Sequence, residues 1–124
     1  GEFTWANGAK YIGEFKNGMK HGHGKLKRDV KNQKSDEYEG QFQNDVKCGE
    51  GVFKWENGNY YIGEFQEDLR NGFGEMYWVD GSWYVGQWWN GDQHGKGEFH
   101  KPDGTTENGF FFKNGFRGDI LPLR

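Results

Sequence analysis

The chain has 124 residues with 22 Gly, 11 Phe, 6 Tyr and 6 Trp, and its net charge at pH 7 is −3. Its mean hydropathy of −1.12 would suit disorder, but disordered chains lack aromatic residues, so the composition predicts one folded domain held together by rings. No apolar run is long enough to span a membrane, no signal peptide is visible, and the single cysteine, Cys48, favours a reducing compartment.

A repeated unit follows the chain from its first residue. Residues 1–10 have the pattern of the end of such a unit, and a Tyr-x-Gly sequence then begins complete units at residues 11, 38, 61 and 84. A degenerate last unit begins at Glu107, and the steps between unit starts are 27, 23, 23 and 23 residues. The four extra residues lie within 28–37. The sequence therefore predicts one repeat array over residues 1–124, with about 23 residues per unit.

Glycine and aromatic residues recur at fixed positions when each unit is numbered from its tyrosine as position 0. Glycine occupies positions 2, 11 and 13, an aromatic residue occupies position 4, and an apolar residue occupies position 15. We expect the glycines at these three positions to share a face with the rings, so that the rings lie over bare backbone.

Alternation within each unit predicts β-structure. Tyr61, Gly63 and Phe65 point one way, with Ile62 and Glu64 opposite, and a second alternating run follows a short turn. Asn-Gly pairs are strong turn signals, and they place turns between the two runs at 17–18, 90–91 and 114–115 and at the ends of second runs at 7–8 and 57–58. Each unit is predicted to be a β-hairpin, and the whole an elongated, twisted single antiparallel sheet.

The pattern resembles the MORN (membrane occupation and recognition nexus) repeat. The segment from Tyr84 to Gly97, YVGQWWNGDQHGKG, matches its signature of Tyr-x-Gly-x-aromatic followed by His-Gly-x-Gly. The resemblance extends over almost the whole chain, although position 10 changes from His to Cys48, Asn71 and Arg117 in other units.

The resemblance implies an all-β array with an aromatic groove that receives a helix or an extended peptide of a partner protein. The predicted groove residues are Trp5, Tyr11, Phe15, Tyr38, Phe42, Trp55, Tyr61, Phe65, Trp78, Tyr84, Trp88 and Phe111. The simpler alternative is that these rings only pack on one another and bind no partner. Charges such as Glu14, Lys25, Glu64, Glu75 and Glu98 are expected at the groove rim, where they would set specificity.

A basic segment at residues 10–34 supports a second hypothesis, peripheral binding to anionic phospholipid. The candidate contacts are Lys16, Lys20, Lys25, Lys27 and Arg28. The simpler interpretation is a solvated charged surface, and the acidic remainder of the chain would oppose membrane binding. The net negative charge also argues against nucleic acid as a partner.

Neither a metal site nor catalysis is predicted. His21, His23, Cys48 and His94 match no zinc-ligand spacing, and Cys48 stands where the repeat has histidine. No pair of carboxylates is singled out, so we expect a protein without enzymatic activity, metal or cofactor. The resemblance leaves open a third role, as an accessory array of a larger enzyme such as a SET methyltransferase or lipid kinase.

The sequence also supports expectations about location and self-association. The lone cysteine favours the cytoplasm, and the family resemblance suggests cytoskeletal or ciliary assemblies. Open sheet edges invite end-to-end pairing of copies; Pro122 suggests a stop at the C-terminal end, which leaves the N-terminal edge as the expected contact.

Overall fold

The computed structural model describes residues 1–6, 8–27 and 36–118, and these form eleven β-strands. The predicted contact Arg28, the pair member Asn7 and Pro122 lie outside the described residues. The strands are β1 Glu2–Thr4, β2 Lys10–Lys16, β3 Met19–Lys27, β4 Glu37–Gln43, β5 Val46–Lys54, β6 Tyr60–Gln66, β7 Leu69–Tyr77, β8 Trp83–Trp89, β9 Asp92–His100, β10 Thr106–Phe112 and β11 Gly115–Gly118.

All eleven strands form one antiparallel sheet whose strand order follows the chain. Each unit supplies a hairpin, as in β6–β7, where Tyr61 is opposite Met76 and Gly63 is opposite Gly74. The next hairpin then pairs with it in the same manner, with Met76 opposite Tyr84. The predicted all-β single sheet of tandem hairpins is confirmed.

The turns within the hairpins use two residues with positive φ, the geometry that matches the strand twist. Asn17 and Gly18 have φ of 54° and 78°, and the same positions in other units hold Asn44–Asp45, Glu67–Asp68, Asn90–Gly91 and Lys113–Asn114. The predicted turn at 114–115 was therefore wrong by one residue. Gly115 begins β11, because the turn keeps positions 6 and 7 of the unit even where Asn-Gly does not coincide with them.

A bulge follows each turn and explains the glycine at position 11. In β2–β3 the register shifts between Gly13 and Phe15, and Gly22, in the longer strand, has φ of 74°. A Cβ on Gly22 would meet the Glu14 carboxylate, which lies on the face opposite the rings. The expectation that this glycine shares the ring face was wrong, because the bulge turns it over and selects glycine through backbone conformation.

The glycines at positions 2 and 13 do lie beneath a tyrosine ring, as predicted. A Cβ added to Gly74 would overlap the Tyr61 ring, and one added to Gly63 would lie 2.5 Å from the Gly74 Cα. The Tyr61 hydroxyl donates a 2.8 Å hydrogen bond to the Glu64 carbonyl at position 3. Equivalent bonds, 2.8 to 2.9 Å long, recur in the three other complete units: Tyr11 to Glu14, Tyr38 to Gln41 and Tyr84 to Gln87.

Candidate functional site: the aromatic face

The aromatic face is the side of the sheet that carries the tyrosine of position 0 and the ring of position 4. Most of these rings are interior. Tyr11, Tyr38, Tyr61 and Tyr84 have at most 1% of their surface exposed, and Phe42, Phe65, Trp88 and Phe111 are also buried. Edge-to-face contacts join them along the array; the Tyr61 ring centroid lies 5.1 Å from that of Phe65 and 5.4 Å from that of Trp88. Within the described residues, these eight rings form the core of a single-layered sheet.

The remaining four predicted groove residues keep surface that a partner can reach. Trp5, Trp55 and Trp78 are half-buried and pack against the core, whereas Phe15 is 41% exposed. The accessible part of the aromatic face is therefore a row of tryptophans that stands on a buried layer of tyrosine and phenylalanine.

A depression of about 260 Å³ opens on this face between the second and third complete units and extends to the turn of the fourth at Gly91. Its apolar part includes Phe53, Trp55 and Phe65, and its charged part includes Lys47 and Arg70, with Asp68, Leu69 and Gly91 completing the lining. Apolar walls with a few charged groups are typical of sites that recognise a segment of another molecule.

Basic side chains at position 9 lie across the aromatic face. The Lys20 Nζ is 5.5 Å from the Trp5 ring centroid, and the Lys47 Nζ is 5.6 Å from that of Tyr38. The Arg70 guanidinium is 4.7 Å from the Trp88 ring centroid. Sequence analysis missed Lys47 and Arg70; the recurrence of a basic residue at position 9 was the signal.

Each position-9 residue also binds the turn of the following unit. The Lys20 amide donates a 2.7 Å hydrogen bond to an Asp45 carboxylate oxygen, and the Asp45 amide donates a 3.0 Å bond to the Lys20 carbonyl. Lys47 and Asp68 repeat both bonds. The ammonium groups pair with the same carboxylates, at 3.4 Å in Lys20–Asp45 and 3.3 Å in Lys47–Asp68. These contacts tie neighbouring hairpins together beyond the strand pairing.

The predicted lipid contacts do not share one surface. Lys20 lies against the rings of the aromatic face, while Lys25 and Lys27 alternate onto the opposite face. Lys25 pairs with Glu37 at 2.8 Å, and this carboxylate raises the pKa of Lys25 while its own pKa is lowered. Lys16 is exposed near the first turn. The segment is thus divided between two faces and partly neutralised.

The opposite face carries features that sequence analysis did not identify. Tyr60, Tyr77, Trp83 and His100 stack across four strands, with centroid distances of 4.8, 6.2 and 3.6 Å between successive rings. A larger depression of about 490 Å³ is also found there, with Val52, Ile62 and Phe73 among its apolar lining. The expected rim charges Glu14, Lys25, Glu64, Glu75 and Glu98 belong to this face, so they do not border the aromatic face.

Burial controls the electrostatics of the aromatic face. It raises the pKa values of Tyr38, Tyr61 and Tyr84 far above the usual range for tyrosine, and the pKa of Tyr11 is also raised. Burial likewise lowers the pKa of Arg70, although a guanidinium keeps its charge at neutral pH. The face therefore presents neutral rings and fixed positive charges.

Two of the residues considered as metal ligands, His94 and Cys48, are at least half-buried. His94 is buried on the opposite face, with its ring 5.4 Å from that of Trp89 and 5.2 Å from that of Phe112. Cys48 is a half-buried free thiol. Across residues 1–6, 8–27 and 36–118, no group of three or more His, Cys, Asp or Glu side chains is arranged to hold a metal ion.

In the described part of the chain, no helix is long and apolar enough to cross a membrane. The comparison with curated proteins gives no significant match. The MORN repeat family model matches residues 11–29, 38–60, 61–83 and 84–106, which together exceed half of the chain. MORN repeats are in general modules of protein or membrane interaction and are typically without catalytic activity. The chain belongs to the MORN-repeat family.

Proposed function

We propose that this protein is a non-enzymatic scaffold or adaptor that binds a segment of a partner protein, helical or extended, along the aromatic face. The observation that carries the proposal is the row of half-buried tryptophans, Trp5, Trp55 and Trp78, of which the first two lie beside the position-9 cations Lys20 and Arg70. Tryptophan and arginine are the residues most enriched among those that dominate binding energy at protein interfaces.

The buried layer beneath the tryptophans favours this use. Because the tyrosine rings are fixed by glycine contacts and hydroxyl hydrogen bonds, a partner would meet a surface that is already ordered. A preorganised surface loses little conformational entropy on binding. The opposite face has a larger depression, but its described residues include no row of tryptophans next to cations, and we propose the aromatic face as the primary site.

The test compares matched variants of the two faces. Trp55→Ala combined with Trp78→Ala removes half-buried rings of the aromatic face, and Trp89→Ala removes a tryptophan of the opposite face that is 48% exposed. Proteins captured from source-cell lysate would be identified by mass spectrometry and then tested as purified partners. We expect binding by the parent and by Trp89→Ala, and loss with the double variant. Equal binding by all three would refute the proposal.

A second candidate is weak association with anionic phospholipid. Ile12 is 49% exposed and lies within a depression lined also by Gly8, Lys10, Lys25 and Lys27 on the opposite face. An apolar side chain among lysines is a plausible contact with an acidic bilayer. Vesicles with and without phosphatidylserine separate the outcomes: binding that needs the anionic lipid and falls with salt supports it, and indifference to lipid charge refutes it.

We further propose a cytoplasmic location and, in eukaryotic cells, a cytoskeletal or ciliary assembly as the setting. The support is the unpaired Cys48 and the interaction role of the family. Fluorescence microscopy of the tagged full-length gene product would test both.

A further inference from the structure

The ion pair between the position-9 cation and the next turn is not repeated in the third complete unit, among the residues that the structure describes. In the first two complete units the position-9 lysine has a carboxylate from position 7 of the following unit, Asp45 for Lys20 and Asp68 for Lys47. In the third, position 9 is Arg70 and the following position 7 is Gly91. Gly91 has no side chain to offer, and among the described residues no carboxylate forms an ion pair with Arg70.

Arg70 is nonetheless held in place. Its Nη2 donates a 2.8 Å hydrogen bond to the Gly91 carbonyl, and its Nη1 makes a weak contact of 3.9 Å with the Met76 sulfur. The guanidinium lies on Trp88, with Trp55 and Tyr61 rings at 5.7 and 6.0 Å. A guanidinium has five N–H donors, so this fixed group retains donors for a ligand.

The same side chain lines the 260 Å³ depression, where it is half-buried next to Trp55 and Phe65. The other cation of that depression, Lys47, is already paired with Asp68. The uncompensated positive charge is therefore at the apolar end, where partial exclusion of water strengthens a charge-assisted hydrogen bond.

We propose that Arg70 is the carboxylate-binding site of the aromatic face and that it recognises an Asp or Glu side chain of the bound protein segment. This inference rests on the proposed function, because it names the chemistry of that partner. The incoming carboxylate would take the place that Asp45 and Asp68 occupy in the earlier units. Apolar residues next to it in the segment would contact Trp55 and Phe65.

A carboxylate fits better than a more highly charged group. Asp68 lines the same depression, and the negative charge of Asp92 acts on Arg70, where it offsets part of the lowering of the Arg70 pKa by burial. These acidic neighbours would repel a phosphate group more strongly than a singly charged carboxylate. The recognised segment is therefore expected to be acidic at one point and apolar around it.

The experiment uses random peptides displayed on phage, selected against the parent, Gly91→Asp and Gly91→Asn. Gly91→Asp supplies an internal carboxylate while it leaves Arg70 unchanged. Position 91 accepts the change, because Asp45 and Asp68 occupy the same turn position with φ of 73° and 69°, and the added Cβ would lie 3.8 Å from Leu69. Gly91→Asn is the neutral control and matches Asn114 of the last unit.

We expect the parent to select peptides with an Asp or Glu among apolar residues. Replacing that residue by Asn or Gln should weaken binding by about 10- to 100-fold, the usual worth of a charged hydrogen bond. Gly91→Asp should weaken binding of the acidic peptide similarly, and Gly91→Asn, which adds a side chain of the same size without the charge, should weaken it far less. Arg70→Met should abolish the preference, whereas Arg117→Met, which removes an arginine packed on Phe112, should not.

The outcomes separate this inference from the proposed function. Peptides that need Trp55 and Trp78 but show no acidic preference, or that bind Gly91→Asp as well as the parent, would overturn the role of Arg70 and leave the groove intact. If the parent and the Trp55→Ala, Trp78→Ala double variant select the same peptides, the groove itself fails and the inference with it. Denaturant unfolding of each variant verifies that it is folded.

Discussion

The two faces of the sheet differ in what repeats along them. On the aromatic face every complete unit packs in the same way. A tyrosine ring covers two glycines, its hydroxyl donates a hydrogen bond to the carbonyl of position 3, and a second ring occupies position 4. On the opposite face the early strands carry ion pairs such as Lys25–Glu37, and the later strands carry the stack from Tyr60 to His100. Features that recur in each unit serve the fold, and features of single units are the ones available for recognition.

This division has a physical origin. A hairpin alone is marginally stable, so each unit must bury its rings against the neighbouring units. Because the neighbouring units have the same pattern, the same packing arrangement recurs in every unit. The opposite face is exposed along much of its length and is not so constrained. Arg70 combines both cases. Its position is part of the repeat, whereas the lack of an ion-paired carboxylate, among the residues that the structure describes, is particular to its unit.

The largest expected effect comes from high pH. The four buried tyrosines have raised pKa values in the fold, so between the unfolded value of about 10 and the folded value the native state keeps protons that the unfolded chain releases. Their contribution to stability is therefore complete below pH about 10 and is lost as the pH rises. Each can remove up to about 1.4 kcal/mol per pH unit.

Ultraviolet titration of tyrosine ionisation beside circular dichroism would test this. We expect the buried tyrosines to ionise only as the sheet unfolds. Tyr77 of the opposite face provides the comparison, since its hydrogen bond to the Glu75 carboxylate is the main cause that raises its pKa to about 12, and burial comes second. Ionisation of all tyrosines before any loss of structure would contradict the assigned burial.

Truncation of one ring on each face gives the next largest effect. Tyr61→Ala removes a ring with no exposed surface, and we expect a loss of about 3–5 kcal/mol in the free energy of unfolding. Tyr77→Ala removes a half-buried ring stacked on Tyr60, for which about 1 kcal/mol is expected. Denaturant titration measures both, and similar losses would show that the opposite stack is as important to the fold as the core.

Two glycine substitutions distinguish the energetic effect of side-chain packing from that of backbone conformation. Gly74→Ala would place a methyl group against the buried Tyr61 ring, and we expect a loss near 3 kcal/mol because neither the ring nor the adjacent Gly63 backbone has room to move. Gly81 has φ of 96° with no atom within 4 Å of an added Cβ, so Gly81→Ala should cost only about 1 kcal/mol of backbone strain. The reverse order in urea unfolding would refute the packing role of Gly74.

The repeat made most of the fold predictable from sequence. Period and alternation identified the hairpins, since Tyr61, Gly63 and Phe65 must share a face in any strand. The bulge was not predictable from alternation, because it breaks the two-residue period that the argument used, and Gly72 was assigned to the wrong face for that reason. The turn at Lys113–Asn114 was missed because a local Asn-Gly signal was preferred over the position in the unit.

The candidate site was less predictable than the fold. Composition pointed to the aromatic face, but it could not separate buried rings from accessible ones, since Tyr61 and Trp55 look equally suitable in sequence. Lys47 and Arg70 lie over rings that are distant in the chain, so their role depends on stacking between units. Assignment of Lys20 to a lipid surface overlooked the Asp45 that follows it by 25 residues.

The smallest expected effect concerns position 3, where the units alternate between Glu and Gln. The Glu64 carboxylate accepts a 2.5 Å hydrogen bond from the Phe73 amide in the bulge, and Glu14 accepts one of 2.7 Å from the His23 amide. The other two complete units have Gln41 and Gln87, which are neutral.

Glu64→Gln should therefore keep the bulge and cost no more than about 1 kcal/mol of stability, because a neutral acceptor replaces a charged one. Urea unfolding near pH 7 measures the difference, with Glu67→Gln as the control that removes one negative charge from an exposed turn residue. A loss of several kcal/mol would mean that the carboxylate is needed to form the bulge, and the opposite face would then share the structural constraint assigned to the aromatic face.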